Sequence, residues 1–200
     1  MSCVTTNRST SMQLPPTTLL VMGIQGAGKG TQADLLMDRH GYSFISMGDL
    51  LRAEKEKDTE RGRLVKGLVE AGELVPDDVS TPLLLDAVRD LDPEARLIID
   101  GHPRTLVQAD LLLDGLQEVG RSEVTALFLS ITEEEGMKRL LERGRQDDTE
   151  EKIRKRFQWS RDSLMPVVDR FRSEGRLVEL DGGGTIDDVF TELESALDLG

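Results

Sequence analysis

Short apolar runs alternate with longer stretches of helical periodicity along almost the entire chain. The runs with the length of buried strands occupy 17–22, 42–45, 96–99, 124–129 and 177–180. The stretches with a helical pattern occupy 29–40, 48–56, 60–71, 77–90, 105–119, 132–143 and 185–197, and a further long helix follows residue 148. Short apolar strands that alternate with helices predict an α/β fold, in which helices cover both faces of a parallel sheet.

Local signals place several helix boundaries. Ser46, Thr105, Thr132 and Thr185 each begin a predicted helix and are followed three residues later by an acidic or amide side chain, which is the pattern of a capping box. Pro166 lies inside the long helix after residue 148. Because proline lacks an N–H group and its ring clashes with the preceding turn, we expect it to bend or break that helix.

Composition limits the class of protein. The 200 residues suit one domain with a single core, for which we predict the bounds 17–198. The net charge of −13 disfavours nucleic acids and anionic membranes as partners, and the single cysteine, Cys3, excludes a disulfide framework within the chain. No apolar run approaches the roughly 20 residues of a membrane-spanning helix. Residues 1–16 lack the apolar region of a secretory signal, so we expect a disordered tail and a cytoplasmic protein.

A glycine-rich segment, GIQGAGKGT at 23–31, follows a predicted strand and opens a predicted helix. Its glycines leave backbone N–H groups open to phosphate oxygens, and the helix N-terminus adds the positive end of its dipole. Lys29 supplies a charge for the β- and γ-phosphates of a nucleotide. A glycine turn that binds nothing is the alternative, which this context disfavours. Gly30 stands where Ser or Thr usually holds Mg²⁺, so we expect the ion to be held mainly through water and phosphate.

A second polar segment, DGHPRTLVQ at 100–108, follows the third predicted strand. In open α/β sheets ligands bind beyond the carboxyl ends of the strands, so Asp100 should lie near the glycine-rich segment, where it can hold Mg²⁺ through water. Arg104 can bind a phosphate with its forked guanidinium group. Two simpler interpretations stay open: Asp100 begins a helix, and Gln108 only caps Thr105.

Six stretches occur in a familiar order, namely GIQGAGKGTQ, SMGDLLR, GELVPDD, DGHPRTLVQA, RLLERGRQDD and DGGGTIDDVF. Together they resemble the adenylate kinase family of nucleoside monophosphate kinases, over nearly the whole chain from about residue 18 to residue 197. Each motif alone is weak to moderate evidence, but six in register are strong evidence. The resemblance implies a three-layer P-loop NTPase fold with five parallel strands, a monophosphate-binding segment at about 46–75 and a very short lid at about 143–148.

The resemblance also implies roles for the matching residues. The implied ATP contacts are Gly26, Ala27, Gly28, Lys29, Gly30, Thr31, Arg143 and Gly184. The implied AMP contacts are Ser46, Met47, Arg52, Leu74, Val75, Gly101, Arg104, Gln108, Arg145 and Arg156. The implied catalytic residues are Lys29, Arg104, Arg143, Arg145 and Arg156. Mg²⁺ would be the cofactor and the protein would be a monomer. Phosphoryl transfer needs in-line positioning and well-placed cations, which one lysine and five arginines from distant segments provide.

Several positions depart from the family pattern. Met47 stands where adenylate kinases usually have a Thr that contacts the AMP base and where UMP/CMP kinases have a small residue. Gln25 replaces a proline, and His102 replaces an aromatic residue, so we expect His102 to pack rather than to act as a base. Only Gly144 separates Arg143 from Arg145, a lid shorter than the short lids of the family. Such a lid excludes water less fully, so we expect ATP hydrolysis without an acceptor.

The leading hypothesis is therefore reversible phosphoryl transfer from Mg·ATP to AMP, which gives two ADP. A kinase for UMP, CMP or another nucleoside monophosphate is the closest alternative. A nucleotide-binding sensor without turnover is an alternative from another class, disfavoured by the complete set of cations. A plain P-loop ATPase or a small-metabolite kinase would leave DGHPRTLVQ and LVPDD unexplained.

Overall fold

The computed structural model describes residues 18–71, 73, 75–144 and 149–199, so the predicted tail lies outside the described residues. The strands are β1 (Thr18–Met22), β2 (Ser43–Ser46), β3 (Leu97–Asp100), β4 (Val124–Ser130) and β5 (Leu177–Asp181). The α-helices are α1 (Lys29–His40), α2 (Met47–Glu54), α3 (Glu60–Ala71), α4 (Asp77–Arg89), α5 (Leu106–Glu118), α6 (Glu133–Arg143), α7 (Glu150–Trp159), α8 (Met165–Ser173) and α9 (Ile186–Ala196). Among the described residues, no helix is long and apolar enough to cross a membrane.

The five strands form one parallel sheet in the order β2-β3-β1-β4-β5. The central strand, β1, pairs with β3 on one side and with β4 on the other, and Val21 of β1 lies level with Asp100 of β3. Ser46 of β2 also pairs with Asp100. The segments that leave β1, β2 and β3 therefore begin at the same edge of the sheet, next to one another.

The core lies on both faces of the sheet because successive strand residues point to opposite sides. Leu20 and Met22 pack with buried residues of α4, α5 and α8. Leu19 and Val21 pack with buried residues of α1 and α9. This arrangement confirms the predicted α/β fold with helices on both faces of a five-stranded parallel sheet.

A smaller apolar cluster joins α6 to α7. Leu140, Ile153 and Phe157 are buried there, and Ile24 of the glycine-rich segment packs against them. The two helices that flank residues 145–148 are thus attached to the segment that follows β1.

The four predicted helix caps are present. The hydroxyl groups of Ser46, Thr105, Thr132 and Thr185 each accept a hydrogen bond from the backbone N–H three residues later, at N–O distances of 3.1–3.3 Å. Each bond satisfies one donor that the first helical turn would otherwise leave unpaired. The start of each of these helices is therefore determined locally.

Pro166 perturbs the long helix without ending it. Between α7 and α8 the chain forms a π-helical segment, Ser160–Leu164, in which the N–H of Met165 donates to the carbonyl of Ser160, five residues earlier. A proline at 166 cannot donate to the carbonyl of Asp162, and the wider π-helical turn just before it accommodates that loss. The expected disturbance therefore takes the form of a local widening of the helix.

Gly115 tests how closely α5 packs against α4. A Cβ atom at this position would overlap the side chain of Leu85, whereas a Cβ at Gly67 of α3 would meet nothing within 4 Å. We expect Gly115→Ala to lower the free energy of unfolding by about 1–3 kcal/mol, because overpacking displaces a core leucine. Gly67→Ala, the matched control, should raise it by up to about 1 kcal/mol through helix propensity. Urea unfolding measures both, and a stabilised Gly115→Ala variant would contradict this packing.

Candidate active site

A cavity of about 870 Å³ opens at the carboxyl edge of the sheet. The glycine-rich segment after β1 forms one part of its wall, and residues 100–104 after β3 form another. Ser46 and Arg52 complete the side next to β2, while residues of α6, α7 and the segment after β5 close the opposite side. A cavity of this size can enclose ligands as large as nucleotides.

The backbone of the glycine-rich segment requires glycine at several positions. Gly23 and Gly26 have φ of 143° and 88°, values that other residues rarely adopt. A Cβ on Gly23 would meet the carbonyl oxygen of Leu129, and one on Gly26 would lie 2.8 Å from the carbonyl oxygen of Gly136. Gly28, with φ of 87°, faces open space in the cavity wall. No side chain of the described residues caps the first turn of α1, so its N–H groups are available to an anion.

Lys29 lies at the start of α1, inside the cavity wall. Its Nζ donates to the carbonyl oxygens of Gly23 and Ile24, each at 3.0 Å. Burial lowers the pKa of Lys29, the positive charges of Arg104 and Arg143 lower it further, and Asp100 opposes them. A bound phosphate would raise the pKa of Lys29 again, because its negative charge favours the protonated lysine.

Arg104 occupies the other side of the cavity. Its Nε donates to the carbonyl oxygen of Gly101 at 2.8 Å, and its guanidinium carbon lies 5.5 Å from the centre of the Trp159 ring. Burial lowers the pKa of Arg104, while Asp100 opposes the shift. Oδ1 of Asp100 is buried without a hydrogen-bond partner among the described residues.

The third part of the wall, next to β2, carries Arg52. Its side chain is 64% exposed and pairs with Asp49, one turn earlier in α2. An ion pair this exposed contributes little to stability, so Arg52 can exchange the carboxylate for a phosphate at low cost. The cavity wall therefore includes five cationic side chains: Lys29, Arg52, Arg104, Arg139 and Arg143.

A glycine-rich segment and a second, cationic segment line one cavity at the edge of the sheet, and this agrees with the sequence comparisons. The sequence model of the adenylate kinase family matches residues 21–176. The chain belongs to the adenylate kinase family.

Relatives named adenylate kinase match nearly the whole chain. The protein from Phocaeicola vulgatus is 36% identical over 184 residues, which are 90% of this chain and 97% of the relative. Those from Parabacteroides distasonis and Prochlorococcus marinus are 38% identical over 183 residues and 39% over 181 residues, and they cover 90% of this chain and 96% and 97% of the relatives.

Most of the residues predicted from the adenylate kinase family pattern line the cavity. They are Gly26, Ala27, Gly28, Lys29, Gly30, Thr31, Ser46, Arg52, Asp100, Gly101, Arg104, Arg143 and Gly184. Met47, Val75 and Gln108 are buried, 5%, 8% and 9% exposed, and neither they nor Arg156 of α7 belong to the wall. Leu74 and Arg145 lie outside the described residues, as does the centre of the predicted lid.

Gln108 lies directly behind Arg104. Its Oε1 accepts from the backbone N–H of Arg104 at 2.7 Å, and its Nε2 donates to Oδ1 of Asp77 at 2.7 Å. The backbone N–H of Gln108 donates to the hydroxyl group of Thr105 and forms the helix cap. The side chain of Gln108 instead bonds to the backbone of Arg104, the residue before Thr105. Both ends of the amide are therefore held by partners outside the capping box.

Among the wall residues without a role predicted from the sequence are a cation, Arg139, and an aromatic residue, Trp159. Arg139 of α6 pairs with Glu135 at 2.8 Å and donates from a terminal nitrogen to the carbonyl oxygen of Gly182 at 2.9 Å. It lies four residues before Arg143, so helical spacing alone places both on one face of α6. Trp159 belongs to no motif, and no sequence signal connects it with Arg104.

His102 packs in the interior beneath the site, as we expect from its position. It is 2% exposed, and its Nε2 is 3.1 Å from Oγ1 of Thr81. Burial, helped by the charge of Arg104, lowers the pKa of His102 from 6.5 to about 4. The ring is therefore neutral near pH 7 and is a structural group.

The lowered pKa of His102 predicts a pH-dependent stability. In the unfolded chain His102 binds a proton below about pH 6.5, whereas in the folded chain it does so only below about pH 4. The free energy of unfolding therefore falls as the pH falls through this window. His102→Gln removes this group but can still hydrogen-bond Thr81. We expect its loss of stability between pH 7.5 and pH 4.5 to be about 2 kcal/mol smaller than that of the wild type.

Urea unfolding at the two pH values measures this difference. His40→Gln, which removes the other histidine of the chain, is the matched control. Because it retains His102, it should still show the loss of stability that His102 causes between the two pH values. Parallel stability curves for His102→Gln and the wild type would contradict the buried, neutral state of His102.

Proposed function

We propose that this protein is an adenylate kinase, which transfers the terminal phosphoryl group of ATP to AMP and forms two ADP. One observation carries the proposal: a single cavity is lined by the glycine-rich segment and by residues 100–104 with Ser46 and Arg52. A triphosphate on the first surface and a monophosphate on the second would meet within that cavity. Membership of the adenylate kinase family supports the same reaction.

The reaction asks the protein for positioning rather than for proton transfer. An oxygen of the AMP phosphate forms the new bond to the terminal phosphorus of ATP. The bond between that phosphorus and the bridging oxygen breaks, so that both products are ADP. Because the attacking oxygen is already anionic, cations and alignment supply the catalysis. Lys29 and Arg143 would stabilise the transferring group, and we assign Arg145 and Arg156 to that same task. Arg104 and Arg52 would hold the acceptor phosphate.

Mg²⁺ fits the chemistry of this edge of the sheet. Oδ1 of Asp100 is buried and lacks a hydrogen-bond partner among the described residues, so it can accept from a metal-bound water. Within the same described ranges, no group of three or more His, Cys, Asp and Glu side chains could hold a metal by itself. Mg²⁺ usually keeps several waters and binds through few carboxylates and the substrate phosphates. When bound, it would neutralise charge on the phosphates of ATP.

A buried carboxylate connects two helices of the proposed monophosphate-binding segment at 46–75. Glu54 of α2 is 1% exposed, and it pairs with Lys57 and with Arg61 of α3, each at 2.7 Å. The pair with Arg61 joins α2 to α3. The proposal includes closure of this segment and of the lid at 143–148 over the substrates. It also includes a cytoplasmic location and a monomeric state.

The preference for adenine rests on Gln108. A carboxylate can only accept and an N–H can only donate, so Asp77 and the backbone of Arg104 fix which end of the amide is oxygen and which is nitrogen. Among the described residues, no further hydrogen bond uses the second proton of Nε2 or the second lone pair of Oε1. This donor–acceptor pair matches the edge of adenine, whose amino group donates and whose ring nitrogen accepts. Met47 contributes no hydrogen-bonding hydroxyl group, so the amide carries the discrimination.

An acceptor panel tests the function. We expect ADP from ATP and AMP with a kcat/KM at least about tenfold above that for UMP or GMP, since uracil and guanine carry a carbonyl oxygen where the amide pairs with the amino group of adenine. CMP, whose amino group and ring nitrogen can pair with the same amide, completes the panel. Lys29→Met should lower kcat/KM for AMP about a hundredfold or more, whereas Lys155→Met, at an exposed lysine of α7, should not. A reaction with ATP alone should show slow hydrolysis because of the short lid. Preference for a pyrimidine monophosphate would overturn the adenylate assignment.

Asp77 provides a separate test of base recognition. Asp77→Ala frees one end of the Gln108 amide, and we expect the KM for AMP to rise about 3- to 30-fold, the cost of losing an orienting hydrogen bond. The KM for ATP should stay unchanged. Asp77→Asn should restore the wild-type KM because its carbonyl oxygen can accept the same bond. Asp78→Ala removes an equal charge from the same helical turn and is the control; an equal effect of both alanine variants would contradict the assignment.

A further inference from the structure

The charge of Arg104 is held in place without being neutralised. Arg52 and Arg139 of the same cavity each pair with a carboxylate, whereas none of the described carboxylates forms an ion pair with Arg104. Its Nε instead donates to the carbonyl oxygen of Gly101, and its guanidinium carbon lies over the ring of Trp159. Neither terminal nitrogen of the guanidinium has a hydrogen-bond partner among the described residues, so both can bind an anionic ligand.

The π-helical segment explains how Trp159 reaches this position. Trp159 is the last residue of α7, and Trp159, Ser160 and Leu164 all line the cavity. In an α-helix, residues five positions apart are rotated by about 140° from each other, so Trp159 and Leu164 could not share one wall. The wider π-helical turn from Ser160 to Leu164 brings them to the same side.

We propose that Trp159 is a positioning residue that holds the Arg104 guanidinium for the acceptor phosphate, through the contact between its ring face and the planar cation. The inference rests on the proposed function, in which Arg104 binds that phosphate. An aromatic face attracts a cation, excludes water from one side of it and leaves its charge available to a ligand. Since the contact concerns the phosphate and not the base, it serves every nucleoside monophosphate that the site accepts.

Substitutions at Trp159 separate this role from simple packing. Trp159→Leu keeps an apolar side chain but removes the ring face, and we expect the KM for AMP to rise about 5- to 30-fold. Trp159→Phe keeps a smaller ring face and should recover most of that loss. In both variants the KM for ATP should change less than about twofold, because Lys29 and the glycine-rich segment are untouched. Gln158→Leu, an exposed neighbour on the same helix, is the matched control and should behave as the wild type.

Intrinsic fluorescence supplies a separate readout of AMP binding beside Trp159. Trp159 is the single tryptophan of the chain, so its emission reports the surroundings of Arg104 directly. Titration of the wild-type protein with AMP should change the emission in a saturable way. In Arg104→Ala the same titration should give no change at AMP concentrations that saturate the wild type.

The outcomes distinguish this inference from the proposed function. If the wild type converts AMP to ADP and Trp159→Leu has the wild-type KM for AMP, only the role of Trp159 is overturned. The same holds if Trp159→Leu and Trp159→Phe are impaired equally, because packing then explains the effect. If the wild type forms no product from AMP but uses another monophosphate, the adenylate assignment fails, and the same variants measured with that acceptor decide the role of Trp159. If it uses no acceptor, both fail.

Discussion

The site depends on keeping positive charges close together and partly removed from water. Lys29 and Arg104 lie in one cavity wall, and burial lowers the pKa of both. Asp100 opposes these shifts, yet it forms no ion pair with either cation among the described residues. The mutual repulsion of these cations is electrostatically unfavourable, and the packed sheet beneath them must offset that cost. The cations repel one another but attract phosphates, so the same charges that are unfavourable in the protein alone favour the binding of a polyanion.

This concentration of charge occurs in a chain with a net charge of −13. Coulomb interactions weaken with distance and with screening by salt. The electrostatic potential in the cavity therefore depends on its own five cations more than on distant surface acids. Elsewhere many arginines pair with nearby carboxylates, as Arg170 does with Asp110 and Glu174. Among the described residues, these paired arginines differ from Lys29 and Arg104 of the cavity, which form no ion pair.

The cavity cations are anchored in different ways, and the differences suit different tasks. Arg139 pairs with Glu135 and donates to Gly182, so it connects α6 with the segment after β5. Lys29 donates to carbonyl oxygens of the glycine-rich segment itself. Arg104 is held by a carbonyl oxygen and by the face of Trp159. Carbonyl and aromatic partners orient a cation without neutralising it, which is the requirement for binding a phosphate.

Features that depend on neighbouring residues or on periodicity could be predicted from the sequence. The strand and helix positions, the caps at Ser46, Thr105, Thr132 and Thr185, and the glycine-rich segment follow from hydrophobic pattern, local hydrogen bonding and backbone freedom. The contacts between side chains that are distant along the chain became known from the folded structure. The bonds of Gln108 to Asp77 and of Arg139 to Gly182 span 31 and 43 residues, and Trp159 reaches Arg104 through a π-helical turn. Such contacts depend on sheet order and helix geometry, which no local pattern encodes.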